Sequence, residues 1–303
     1  MLPLQTYATF LGLVAAGHLL RRKGILSEEL VRRALLVLFF VFIPASVLTG
    51  AAGLERDVAR SLWRLGLVAV GQYIVFMGLT LATARWFGLS GPSRDTLVFL
   101  VAHHNGIFIP LPFIRSAAGE AGALAAVFYS QAYFLTFLLL TPLFMDRDTF
   151  DPRTVYAQFW PLLAAMALAV VIVLMPGSPP DMLVRLAFPV ISRMDTVTGP
   201  LALFVVGASL RPDSDGFKMD RVTALVVGLR LVVGGILGVT VSRLVDLPLA
   251  WRTCVAVEFG SASATVNVIL IERLGLDAEV GARAVFFTTM LSTLTIPIVL
   301  ALV

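Results

Sequence analysis

Residues 101–112 read Val101-Ala-His-His-Asn-Gly-Ile-Phe-Ile-Pro-Leu-Pro112. The stretch lies in an apolar run of about 95–117, long enough to cross a bilayer, since a spanning helix needs roughly 20 residues. Two histidines, an asparagine, a glycine and two prolines do not fit an uninterrupted lipid-facing helix. Pro110 and Pro112 have no amide hydrogen, and Gly106 relaxes the backbone, so amides and carbonyls near Asn105 are freed. Free backbone groups at membrane depth are tolerated only against protein or a water-filled cavity. A half-helix restarting beyond such a break offers its positive N-terminal end to an anion. A proline-kinked packing helix is the plainer alternative.

The rest of the chain is built for the same medium. Its 303 residues are 58% hydrophobic and only 14% charged, with a mean hydropathy of +0.92. Soluble domains carry about 25% charged residues, so a soluble enzyme is excluded and a polytopic all-α membrane protein is expected. Apolar runs between charged or Gly/Pro-rich breaks give ten spans, at about 4–20, 34–52, 63–86, 95–117, 121–145, 157–175, 187–210, 221–244, 251–272 and 281–303. The gap from Arg21 to Arg33 leaves room for a short amphipathic turn of helix. The net charge of +4 is helix-end punctuation rather than a nucleic-acid surface. One cysteine, Cys254, allows no intramolecular disulfide. Met1 to Thr6 has no positive n-region, so no cleavable signal peptide is expected there.

Loops after odd-numbered spans carry 14 Lys and Arg and the opposite side carries 8. The positive-inside rule then puts the first loop in the cytoplasm and both termini outside the cell (inner) membrane. The helix breakers repeat. Pro44, the break at Asn105 and Pro142 are separated by 61 and 37 residues; Pro200, Ser261 and Pro297 by 61 and 36. The halves 1–145 and 157–303 thus match at an offset of 155–156. With five spans each, an odd number, the second copy enters from the opposite face. Such inverted repeats are common in secondary transporters, whose sites lie at interrupted helices near the midplane.

Span 9 reads Val257-Glu-Phe-Gly-Ser-Ala-Ser-Ala-Thr-Val-Asn267. Gly260 and the small hydrogen-bonding residues Ser261, Ser263, Thr265 and Asn267 suit either a binding site or close helix crossing. Glu258 is an intramembrane carboxylate, costly and by default a candidate for cation binding or proton carriage. Arg230 lies near the middle of span 8 and must face the interior with a partner, either Glu258 or a substrate carboxylate; the ion pair is the favoured expectation, because an unpaired buried charge is costlier. Gly228, Gly234, Gly235 and Gly238 on the same span read as close packing. His103 and His104 are of the residue type suited to a proton-coupled cycle, and on a helix adjacent positions point about 100° apart, so one of them at most is expected to face a site. Gln72, Gln131 and Tyr133 are polar enough to line a pathway.

Enzyme motifs are missing. There is no His-Glu-x-x-His helix, no Gly-x-Ser-x-Gly elbow and no phosphate loop; a hydrolase built from Ser261 and His104 is a distant alternative, and a pore another. The loop Asp146-Arg-Asp-Thr-Phe-Asp-Pro-Arg153 lacks calcium-loop spacing, and neither metal nor cofactor is expected.

The runs Asn105–Pro112 with Gly119 and Gly122, Thr198-Gly-Pro-Leu-Ala-Leu-Phe-Val-Val-Gly-Ala-Ser-Leu210, and Leu274 to Pro297 resemble the auxin efflux carrier family, a likeness that extends from Ile43-Pro-Ala45 to the end of the chain. The resemblance implies ten helices in a five-plus-five inverted repeat, with interrupted helices 4 and 9 crossing. It implies a dimerising scaffold of residues 1–52 and 157–210, a moving transport part of residues 63–145 and 221–303, and a small carboxylate such as malonate, malate or an auxin-like acid as substrate. By that likeness Asn105 contacts the substrate carboxylate, and His104, Gly106, Ser261, Ser263 and Asn267, read from the two interrupted spans, are expected beside it; the expected partners are that carboxylate, the lipid bilayer and a second copy of the chain. The long cytoplasmic loop of the plant proteins is absent. Pro110 stands where bacterial relatives often carry glycine, and span 9 lacks the proline of plant members. Glu258 is also similar to a glutamate of the bile-acid sodium symporters, which keeps a sodium-coupled symporter as the alternative.

Overall fold

The computed structural model describes residues 4–52, 56–146, 152–174, 188–209 and 218–303. All regular elements among them are helical: α1 (Leu4–Arg22), α2 (Glu28–Val37), α3 (Ile43–Ala52), α4 (Arg56–Trp86), α5 (Gly91–Ala102), α6 (Pro110–Leu140), α7 (Pro152–Leu174), α8 (Phe188–Ser209), α9 (Arg221–Val227), α10 (Gly234–Leu244), α11 (Leu249–Phe259), α12 (Asn267–Arg273) and α13 (Ala278–Leu302). Six described stretches are long and apolar enough to cross a membrane: Glu28–Thr49, Leu62–Trp86, Pro110–Leu143, Pro189–Ser209, Arg221–Leu244 and Ala278–Leu302. The chain is a multi-pass helical membrane protein.

Several local expectations change. The helix expected from residue 34 begins at Glu28, because Ser27 caps it by accepting a hydrogen bond from the Leu30 amide. Pro44 does not break its span. The five residues ahead of it, Leu38–Phe42, widen into a π-helical turn, which accommodates a residue that lacks an N–H and crowds the carbonyl four positions back. Pro200 and Pro297 also lie inside continuous helices; a single lost backbone bond is small against the packing that holds a long membrane helix. Pro110 and Pro112 begin α6, where a missing amide hydrogen matters least. The true breaks are at residues 103–109 and at 260–266, the latter unwound without any proline. Gly119, at φ 66°, kinks α6 and supplies the turn expected near residues 118–120. The loop at 147–151 lies outside the described residues.

Packing uses glycine at two helix pairs. A Cβ on Gly17 of α1 would run into the carbonyl of Phe204 in α8, and one on Gly207 would run into the carbonyl of Val14. On α10, Gly234 and Gly238 lie as closely against the carbonyls of Phe259 and Ala256 on α11. Small residues let membrane helices approach until backbones touch. Of the other glycines expected to act alike, Gly235 lies against Gly260, on which an added Cβ would stand 3.2 Å from the Gly235 Cα, while a Cβ on Gly228 would have nothing within 4 Å. A clasp at the start of α5 joins distant segments: Arg94 donates to the buried Asp95 carboxylate and to the Phe144 carbonyl, and Asp95 accepts the Asp146 amide.

Overpacking a tight core costs about 1–3 kcal/mol or more. Gly207→Leu is therefore expected to lower the unfolding temperature of detergent-purified protein clearly. Gly12→Leu, on an exposed stretch of α1 with open space around it, should leave it unchanged, and equal melting of the two variants would refute the α1–α8 packing.

Candidate functional site at the crossing of two broken helices

The two unwound segments pass one another as a minimal antiparallel bridge between His104 and Ser263. The Asn105 amide donates to the Ala262 carbonyl at 2.8 Å, and the Ala264 amide donates to the His103 carbonyl at 2.9 Å. Backbone groups released by each break are thus satisfied by the other. Side chains complete the knot. Asn267 donates to the His103 carbonyl and to Ser263 Oγ, while its Oδ1 lies 2.6 Å from His103 Nδ1. With the amide nitrogen committed as donor, Oδ1 accepts, so Nδ1 of His103 carries the hydrogen. Ser263 Oγ donates to the Leu100 carbonyl and its amide to Thr288 Oγ1.

The buried charges bond in a way the residue types do not announce. Arg230 sits in a π-helical turn, Gly228–Val233, between α9 and α10, and is 0% exposed. Its Nε donates to the Ser261 carbonyl at 3.0 Å, and its Nη2 to Ser261 Oγ at 3.0 Å and to the Glu258 carbonyl at 3.4 Å. A guanidinium therefore caps the C-terminal end of α11, a position favourable for positive charge, with its other face 4.6 Å from the Phe76 ring centroid. Gln72 adds a second donor to the Glu258 carbonyl. The ion pair expected between Arg230 and the Glu258 side chain takes another form. The carboxylate turns to His104, with Oε2 at 2.9 Å from Nε2, and Ser130 Oγ stands 3.4 Å from Oε1.

Beside this knot lies a cleft with about 540 Å³ of empty space, its mouth included. His103, His104, Asn105 and Gly106 line it from the first break, Ala264–Val266 from the second, and Ser130, Gln131, Tyr133 and Phe134 from α6. Phe39, Ile43 and Leu162 face them from the π-turn after α2, from α3 and from α7. Gly106 permits the approach, since a Cβ there would stand 2.5 Å from Ser130 Oγ and 3.2 Å from Glu258 Oε2. Both histidines line the cleft because the backbone at His103 has left the helix, at φ −98° and ψ 88°, and the helical spacing argument lapses there.

Of the residues expected at a substrate site, Asn105, Gly106 and His104 line the cleft, whereas Ser261, Ser263 and Asn267 lie behind it, bonded to protein. Asn105 itself holds the loop: its Oδ1 accepts the Phe108 amide and its Nδ2 donates to Thr265. The start of α6 is poorer in donors than a helix N-terminus usually is. Pro110 and Pro112 have no N–H, and the Leu111 amide already bonds the Ile107 carbonyl. Ser130 and Tyr129, which bonds Gln72, are missed from sequence. The polar run Tyr129-Ser130-Gln131-Ala-Tyr133 inside an apolar span was the available signal.

Among the described residues no cluster of three or more His, Cys, Asp or Glu could hold a metal ion. Residues 154–300 match the family model described as membrane transport protein. The chain is 24% identical over 311 residues to an uncharacterized transporter of Methanothermobacter thermautotrophicus, covering 97% of this chain and 96% of that protein. It is 23% identical over 304 residues to an uncharacterized transporter of Methanocaldococcus jannaschii, covering 98% and 97%. A broken-helix crossing beside a cleft, in a multi-pass chain whose second half matches that family model and whose whole length matches these relatives, makes the chain similar to membrane transporters rather than to enzymes.

Proposed function

We propose that this protein carries small organic anions across the cell membrane by alternating access of elevator type, as a secondary active or electrogenic transporter. The observation that carries the reading is the crossing itself. Its two backbone hydrogen bonds exchange places when one half of the chain is shifted onto the other by 159 (263 less 104), close to the offset of 155–156 read from the breakers. Every antiparallel bridge has that exchange, but one whose shift comes so near the breaker offset supports a five-plus-five inverted repeat of ten spans.

The packing supports a division into two parts. Helix α1 packs on α8, and α3 on α7 and α8; in the other group α4 packs on α6, α6 on α11, and α9 on α13. The cleft lies where the groups meet, with Phe39, Ile43 and Leu162 on one side and the breaks on the other, as a carrier needs if one part slides past the other. Dimerisation through the first part rests on the family likeness. The largely apolar walls, with a few hydrogen-bonding groups at the crossing, suit an organic body with one polar head. A negative-inside potential favours anion exit by about 2.3 kcal/mol per charge per 100 mV, so efflux needs no ATP.

The test is charge displacement from proteoliposomes on a solid support, with malonate, malate, indole acetate and a bile salt, each with and without sodium. A saturable transient for a carboxylate is expected, at least tenfold smaller in Asn105→Ala, whose loop loses its bonds to Phe108 and Thr265. A current proportional to the gradient would mean a pore, and a transient for bile salt that requires sodium would favour the symporter. Topology is checked separately by labelling with an impermeant maleimide, Cys254 being buried and silent. Lys23→Cys should react from the cytoplasmic side and Leu249→Cys, 67% exposed, from outside; the reverse pattern would invert the orientation.

A further inference from the structure

The cleft poses a charge problem for any carboxylate. No Lys or Arg lines it; Arg230 is one layer back, behind Tyr133, with Nε and Nη2 given to the Ser261 and Glu258 carbonyls and only Nη1 left over. The first turn of α6 offers little, as its prolines and the bonded Leu111 and Phe108 amides leave few donors there. A carboxylate taken out of water without a positive or strongly donating partner is costly. Of the lining side chains with an unpartnered buried atom, His104, Gln131 and Tyr133, one can take on a positive charge. His104 is buried, its Nε2 faces Glu258, which is not itself a wall of the cleft, and its Nδ1 is a buried atom with no partner among the described residues. The Tyr133 hydroxyl, from the ring packed edge-on against His104 with centroids 4.1 Å apart, stands between the cleft and the Arg230 guanidinium.

Resting on the carboxylate-carrier reading, we infer that substrate and one proton bind together, the proton on Nδ1 of His104. With Glu258 ionised, Nε2–H donates to its carboxylate and Nδ1 of the neutral ring is a bare lone pair. The crossing then holds one positive charge on Arg230 and one negative on Glu258. An incoming carboxylate adds a second negative charge. A proton from solvent on Nδ1 restores neutrality and turns that nitrogen from an acceptor into a charged donor, to which the carboxylate bonds beside the Tyr133 hydroxyl. The titratable and charged groups around His104 are Glu258 on α11, Arg230 between α9 and α10, Tyr129 and Tyr133 on α6, and neighbouring His103, whose Nδ1 hydrogen is already given to Asn267. The histidine is thus the coupling group and Glu258 its positioning residue. A monovalent anion then crosses with its charge cancelled, whereas a dianion such as malonate or malate keeps one negative charge, so the charge-displacement transient is expected from the dianions.

The experiment is calorimetric binding of indole acetate to detergent-purified protein in two buffers of different ionisation enthalpy. Above the ordinary histidine range, between pH 7.5 and 8.5, about one proton is expected to be taken up per anion, with Kd weakening by about tenfold per pH unit. In His104→Gln, whose amide still donates to Glu258, proton uptake should vanish and the remaining, weaker binding should lose its pH dependence; rescue of the slope in His104→Gln would overturn the assignment to this residue. Wild-type binding with no proton uptake overturns the inference and leaves the carrier reading standing. Malonate, malate and indole acetate all failing to bind to folded wild type would overturn both.

Discussion

A membrane offers no water to a backbone that has left its helix, and this constraint organises the protein. Each unwound segment exposes amides and carbonyls that would cost several kcal/mol if left alone in hydrocarbon. The solution is reciprocal: the break after α5 and the break after α11 bond one another through the His104–Ser263 bridge. Neither segment can adopt its conformation without the other. The polar residues nearby follow from that arrangement, since Asn105, Ser263, Thr288 and Asn267 bond the groups that the bridge leaves over.

The buried charges serve the same backbone. A guanidinium with five donors in a rigid fork meets the carbonyls where α11 ends, so the helix terminus is held from the side by α9–α10 rather than by its own next turn. This frees the Glu258 carboxylate from a direct pair with Arg230 and lets it turn across the crossing to His104. Close packing makes this geometry possible. Gly234 and Gly238 bring the helix that carries Arg230 against α11, and Gly106 brings the first break against Ser130 and Glu258.

Much of this was legible in the sequence because the bilayer imposes a coarse rule on composition. Apolar runs of span length gave the helical class, and the company of His103, His104, Asn105, Gly106, Pro110 and Pro112 marked the first break. The second break was harder to read, having no proline, and it forms because Arg230 and the facing segment satisfy its groups. Prolines misled in the opposite direction. Pro44 and Pro200 look like breakers, yet a π-turn or an otherwise intact helix absorbs them. Ser130 and Tyr129 escaped notice because isolated polar residues in a span have no period or spacing of their own.

The amino-acid order alone determined which runs are apolar enough for lipid, that residues 101–112 do not remain one uninterrupted helix, and which ionisable residues must be buried, since each depends on transfer cost along a local run. Partnership was decided by tertiary structure. That Arg230 caps carbonyls, that Glu258 faces His104 instead of Arg230, and that Ser261, Ser263 and Asn267 stand behind the cleft rather than in it all depend on contacts across some 30 to 165 residues of sequence. A buried polar group must find a partner, but composition does not say which, and only the crossing of the two broken helices brings the available donors and acceptors within bonding distance.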